Sequence, residues 1–170
     1  MRLRCRPARR SDDERRGADD GDCSRGCLDR VSGVAAQAPD QVMTLAPAGA
    51  IRPTGTWSLG SRAGDFVYIA GMRGIDPATN TLVQGEEARI RQGFLNMQTI
   101  AQSEGASLRD CVRIVVYVTD MARFRPLVNK VQEELWGKGP YPPRTIVEVH
   151  RLNQNDIFEV EGTFYAPVKK

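Results

Sequence analysis

Apolar residues change their spacing along this chain, and each change marks an element. Phe66-Val67-Tyr68-Ile69-Ala70 is a short β-type run closed by Gly71, and Asp76-Pro77-Ala78-Thr79-Asn80 follows it with turn chemistry. Between Glu86 and about Glu104, Ile90, Phe94, Met97 and Ala101 recur at i, i+4, i+7 and i+11, with Leu95 and Ile100 widening the stripe. That spacing predicts an amphipathic helix, ended by Gly105. From Val112 to Val118 the period drops to two, with Val112, Ile114, Val116 and Val118 on one face and Arg113, Val115 and Tyr117 on the other. This is a strand with both faces mostly covered. A second helix, capped by Asp120, carries Phe124, Leu127 or Val128, Val131 and Leu135 as its buried stripe and takes Pro126 in its first turns. Gly137 and Gly139 stop it. Gly139-Pro140-Tyr141-Pro142-Pro143 is then a stiff connection, because each proline fixes φ and biases its predecessor toward extended geometry. Two β-rich runs, Thr145 to Val149 and Ile157 to Phe164, flank the polar turn Asn153-Gln154-Asn155-Asp156.

The order of strands, helix, strand, helix and two strands predicts an α+β fold, a mainly antiparallel sheet with both helices on one face. The second face needs cover. Its β-branched content points to a partner subunit rather than solvent, so an oligomer is expected.

Composition then divides the chain. Its 170 residues, 41% hydrophobic and 26% charged, suit one domain, and no apolar run approaches the ~20 residues that a membrane-spanning helix needs. All 11 aromatic residues lie at or after Trp57. Residues 1–42 hold nine Arg and eight Asp or Glu, no Lys and no aromatic, and cannot bury enough apolar area to offset the entropy of ordering them. A disordered, dispensable extension is expected there, with the globular unit spanning residues 43–170 and a native start at Met43. The local surplus of +1, nine Arg minus eight acids, is too small for a nucleic-acid arm, and neither a secretory nor a transit signature is present. Cys5, Cys23 and Cys27 all precede Met43, which leaves Cys111 alone in the globular part. No disulfide framework or zinc site is expected, Cys111 reads as a small packing residue, and a reducing cytoplasm fits.

The common catalytic signatures are absent: no Gly-rich phosphate loop, no His-Glu-x-x-His and no Gly-x-Ser-x-Gly. The single His150 reads as a partly exposed strand-end residue. What remains is charge placed in β segments, where it is costly unless used. Arg144 follows two prolines and opens an otherwise apolar and β-branched strand; Glu159 and Glu161 share one face of the last strand, alternating with Phe158 and Val160. A guanidinium fork matches a carboxylate, and a nearby carboxylate can orient or deprotonate water. Residue types alone leave two readings open, a site for a small carboxylate-bearing substrate or a structural Arg–Glu pair.

Taken in order, Gly71 before Asp76-Pro77-Ala78-Thr79, then Glu104-Gly105-Ala106-Ser107-Leu108, Val118-Thr119-Asp120, Val128-Asn129, Pro143-Arg144-Thr145, Val147-Glu148-Val149 and Phe158-Glu159-Val160-Glu161 closely resemble the RidA/YjgF/YER057c family of imine deaminases. The similarity covers about residues 50 to 166. The resemblance implies a chorismate-mutase-like α+β fold, a homotrimer with its sheets inside, and three active sites in the clefts between subunits. It also implies hydrolysis of reactive enamines and imines, such as 2-aminoacrylate, to a 2-keto acid and ammonia, without metal or cofactor. Arg144 would hold the substrate carboxylate and Glu159 would position or activate the water. Backbone groups after Gly71 and beside Ile146 would complete the pocket, and Asn129 matches a family asparagine if one extra residue is allowed after Asp120.

Three positions depart from the family pattern. Trp57 stands for a tyrosine, Ile146 for a cysteine and Ala70 for a serine, which points to a larger or more apolar substrate. The Thr145-x-Val147-x-Val149-His150 stretch also resembles relatives that deaminate 2-aminomuconate, the alternative enzyme. An RNA-binding or ribonuclease-like protein and a non-catalytic ligand-binding trimer are further alternatives. With no aromatic platform interleaved with a basic strip, no nucleic-acid partner is expected.

Overall fold

The computed structural model describes residues 41–168, so the extension expected over residues 1–42 lies, apart from its last two residues, outside the described residues. Along them run β1 (Met43–Leu45), β2 (Gly60–Ala63), β3 (Phe66–Arg73), β4 (Ile75–Asp76), β5 (Thr81–Leu82), α1 (Glu86–Ser103), β6 (Cys111–Val118), α2 (Met121–Trp136), β7 (Arg144–Glu148) and β8 (Phe158–Tyr165). Six strands form one sheet in the order β1-β2-β3-β8-β6-β7, while β4 and β5 pair separately around the Asp76 turn. All sheet pairings are antiparallel except β6 with β7, which α2 connects as a crossover. The α+β expectation holds. No helix among the described residues is long and apolar enough to cross a membrane.

The core lies between the sheet and the helices. Ile90, Phe94, Met97 and Ile100 of α1 meet Met72, Phe158, Val160 and Val116, all 0% exposed. Phe94 packs against Phe158 with ring centroids 5.2 Å apart and edge-on to Trp136 at 5.7 Å. Gly93 is required beneath that stack, because a Cβ there would sit 2.6 Å from the Phe158 ring. Asp120 caps α2 as expected, its side chain accepting from the Arg123 N–H at 2.9 Å, and Gly137 ends the helix at φ 64°.

Four details depart from the sequence expectation. The run from Phe66 does not close at Gly71: it continues to Arg73 through a register shift between Ile69 and Met72, and Asn96 of α1 stabilises the far side by donating to the Arg73 and Ile75 carbonyls at 2.9 and 2.7 Å. A second shift, between Cys111 and Arg113, turns Val112 out to 42% exposure instead of onto the Ile114 face. In α1 it is Asn96, not Leu95, that joins the buried stripe, and in α2 Gln132 and Trp136 do so, with Leu135 only partly buried. The opposite sheet face is uncovered in the single chain. Phe66, Tyr68, Val147 and Tyr165 stand there between 39% and 47% exposed.

Candidate active site

Arg144 begins β7 at a fixed point. The Pro143 carbonyl just before it accepts from the Ile114 N–H at 3.0 Å, which pins the edge strand to β6 after the proline-rich connection. Helix α2 is tied to the same strand, because its Met121 N–H donates to Glu148 Oε2 at 2.7 Å. One turn of α2 then presents two amide side chains to the guanidinium: Nη1 donates to Gln132 Oε1 at 2.6 Å and Nη2 to Asn129 Oδ1 at 2.8 Å. Both acceptors are neutral, and Arg144 makes no ion pair among the described residues. Burial pushes this guanidinium below its usual value, and Arg125 nearby pushes the same way. An oriented, part-buried cation without a counterion therefore lines a cleft of about 400 Å³, shared with Tyr141, Pro142 and Glu133.

Glu159 lines another cleft, of about 250 Å³, with Trp57, Gly71 and Arg73 among its walls. Gly71 is there for space. A Cβ at that position would run into Glu159 Oε1, so in this pose the carboxylate occupies space that any side chain at residue 71 would take. Burial holds the Glu159 carboxyl above the usual carboxylate range; Arg73 pulls it back, while Asp156 and Glu161 add to the rise. Trp57, 37% exposed, forms an aromatic wall at the mouth.

The ladder registers place these two clefts on opposite sides of the sheet. Arg144 pairs with Ile114 and Ile146 with Val116, so both share the helix-covered face, where Ile146 packs partly buried against the core. Glu159 pairs with Tyr117, on the open face. The structure thus brings Arg144 together with Asn129, and Glu159 together with Gly71 and Trp57, but does not bring the two groups together within one chain. Glu159 and Glu161 share one face, as their alternation implies. His150 is exposed in the bend after β7.

Sequence reasoning missed Gln132, Arg73 and Asp156. Gln132 is 4% exposed and lies three residues beyond Asn129, one helical turn, which is a readable signal once Arg144 needs acceptors. Arg73 satisfies the criterion that singled out Arg144, charge inside a strand, but ending β3 at Gly71 left it in a loop.

Cys111 is the packing residue expected. Burial pushes its thiol up to about 12, and Sγ donates to the Arg113 carbonyl at 3.5 Å. At pH 8 it should alkylate more than about tenfold slower than an exposed cysteine, because little thiolate forms. Peptide-resolved mass spectrometry measures this; alkylation at the rate of a free exposed thiol would contradict the buried assignment.

The family model described as "Endoribonuclease L-PSP" matches residues 47–166. A Rhodopseudomonas palustris structure described as a "probable translation initiation inhibitor" is 54% identical, covering 75% of this chain and 100% of that one, with a TM-score of 0.73. The RidA structure from an Antarctic Psychrobacter is 33% identical over 72% of this chain and 98% of that one, with a TM-score of 0.69. A 2-iminobutanoate/2-iminopropanoate deaminase of Dermatophagoides farinae is 32% identical over 112 residues, 65% of this chain and 86% of that protein.

Proposed function

The chain belongs to the RidA/YjgF family, the family described as endoribonuclease L-PSP, and on that premise we propose that it hydrolyses reactive enamines and imines of the 2-aminoacrylate type to 2-keto acids and ammonia. Relatives named as deaminases support this kind of activity. The observation that carries the reading is Arg144: a guanidinium fixed by two neutral amides, in a cleft, without an acidic partner among the described residues. Such a fork is suited to a substrate carboxylate.

The chemistry asks little beyond positioning. An enamine first takes a proton on carbon and becomes the iminium. Glu159 accepts a proton from water as the water oxygen bonds to the electrophilic carbon, giving a carbinolamine. Glu159 returns its proton to nitrogen, the C–N bond breaks, and ammonia leaves as the hydroxyl oxygen gives up its proton to Glu159 or solvent and the carbonyl forms. Arg144 holds the carboxylate throughout, so that carbon and water stay in line.

Because Arg144 and Glu159 occupy opposite sheet faces, one chain does not assemble this site. We infer that a second copy supplies the missing half, in a homotrimer whose subunits bury the exposed Phe66, Tyr68, Val147 and Tyr165. Residues 43–170 would be the unit that assembles.

Ammonia release from enzymatically generated imines, from small amino-acid-derived ones to 2-aminomuconate, tests the reading. Release above the spontaneous rate is expected from at least the small members; spontaneous rates throughout would overturn it. Gly71→Ala sharpens the test. Its Cβ would displace the Glu159 carboxylate, and kcat should fall roughly 10²-fold, the order expected for a misplacement of about 1 Å. Unchanged kcat in a folded Gly71→Ala protein would remove Glu159 from the reaction.

A further inference from the structure

We propose that Arg73 is a positioning residue that acts through Glu159: anchored by the loop between β7 and β8, it holds a fixed positive charge beside that carboxylate in the cleft and favours its ionised form. The proposal rests on the reading above, which makes Glu159 the group that handles the water. Arg73 and Glu159 are direct partners across the β3–β8 ladder and line the same cleft. Arg73 is only 7% exposed, and its orientation is set from behind. Nη1 donates to the Asn153 carbonyl at 2.8 Å and to Gln154 Oε1 at 3.1 Å, and Asp156 Oδ2 lies 3.9 Å away.

Asp156 is itself 1% exposed. Its Oδ1 accepts from the Ile157 N–H at 2.7 Å and lies 3.6 Å from Arg89, while Oδ2 has no hydrogen-bond partner among the described residues. Two arginines therefore share one buried carboxylate that bonds neither guanidinium closely. Arg73 makes no ion pair with Glu159 among the described residues, so it acts on that carboxylate through space, as a fixed charge lining the same cleft.

The charged and titratable groups facing Glu159 are Arg73 from β3, Asp156 from the preceding loop, Glu161 two residues along β8, and Tyr117 opposite on β6. Burial, Asp156 and Glu161 all favour the protonated acid. Within one chain, Arg73 alone among these groups favours the carboxylate.

Carbon-13 NMR titration of the Glu159 carboxyl in the full chain, assigned with Glu159→Gln, tests this beside the pH profile of ammonia release. In Arg73→Met, Glu159 should titrate at higher pH than in the parent and the acid limb of activity should move with it; Arg73→Lys, which keeps the charge, should fall nearer the parent. Gln154 is exposed, so Gln154→Ala loosens the anchor with little risk to folding and should give a smaller shift in the same direction. An unchanged Glu159 midpoint in Arg73→Met overturns the proposal. If that variant does not fold, an unchanged midpoint and acid limb in Gln154→Ala does so instead. A parent that releases no ammonia while its Glu159 midpoint still rises in Arg73→Met refutes the reaction and leaves the positioning intact. A parent that turns over with a fixed midpoint refutes the positioning alone.

Discussion

Replacing Arg144 with alanine should lower the enzyme-dependent kcat/KM for a small imine by roughly 10²- to 10⁴-fold, the loss of two charge-assisted hydrogen bonds worth about 1.5–3 kcal/mol each. The fold should survive. Arg144 begins an edge strand, and its removal leaves the Gln132 carbonyl unpartnered in a nearly buried position, a cost of about 1–3 kcal/mol. Arg144→Lys keeps the charge without the fork, and should recover only part of the loss, mostly in KM. Circular dichroism and sedimentation of both variants, beside ammonia release over the spontaneous rate, separate a binding defect from unfolding. Full turnover in folded Arg144→Ala would remove the carboxylate-binding role.

The second large effect belongs to Glu159. Glu159→Gln preserves shape and removes the proton acceptor, so kcat should drop by about 10²- to 10⁴-fold with little change in KM, the range for general-base catalysis. The pH dependence follows from the direction of its shift. Burial raises the carboxyl above the ordinary glutamate value, so a base that must be ionised loses activity as pH falls through that raised value. The parent's acid limb should accordingly lie at higher pH than a solvent-exposed glutamate would give, and it should be missing from the residual activity of Glu159→Gln. The same limb persisting in that variant would assign it to another group.

Much of this was legible in the residues. The i, i+4, i+7 stripe from Ile90 to Ala101 specifies α1, and Asp120 with Gly137 brackets α2, because helix periodicity and caps are local. β1 and β2 were not legible: Gly60-Ser61-Arg62-Ala63 has no strand-type run and is held by its pairing with β3. The bulges hid more. A register shift inserts residues into one strand without altering its apolar pattern, so Gly71 looked like an end and Val112 like a core position. Arg144 and Glu159 stood out as candidates because charge inside a strand is conspicuous. Their placement on opposite faces is a matter of ladder register, which no short motif encodes.

Complementation tests the two-copy site most directly. Arg144→Ala and Glu159→Gln are each expected to be nearly inactive alone. Co-expressed at equal levels, they should form mixed assemblies in which roughly a quarter of the interfaces, by random assortment in a cyclic trimer, join an intact Arg144 from one copy to an intact Glu159 from the other. Ammonia release should then return to about that fraction of the parent's rate. Activity no higher than that of the two variants measured separately would contradict a site shared between copies.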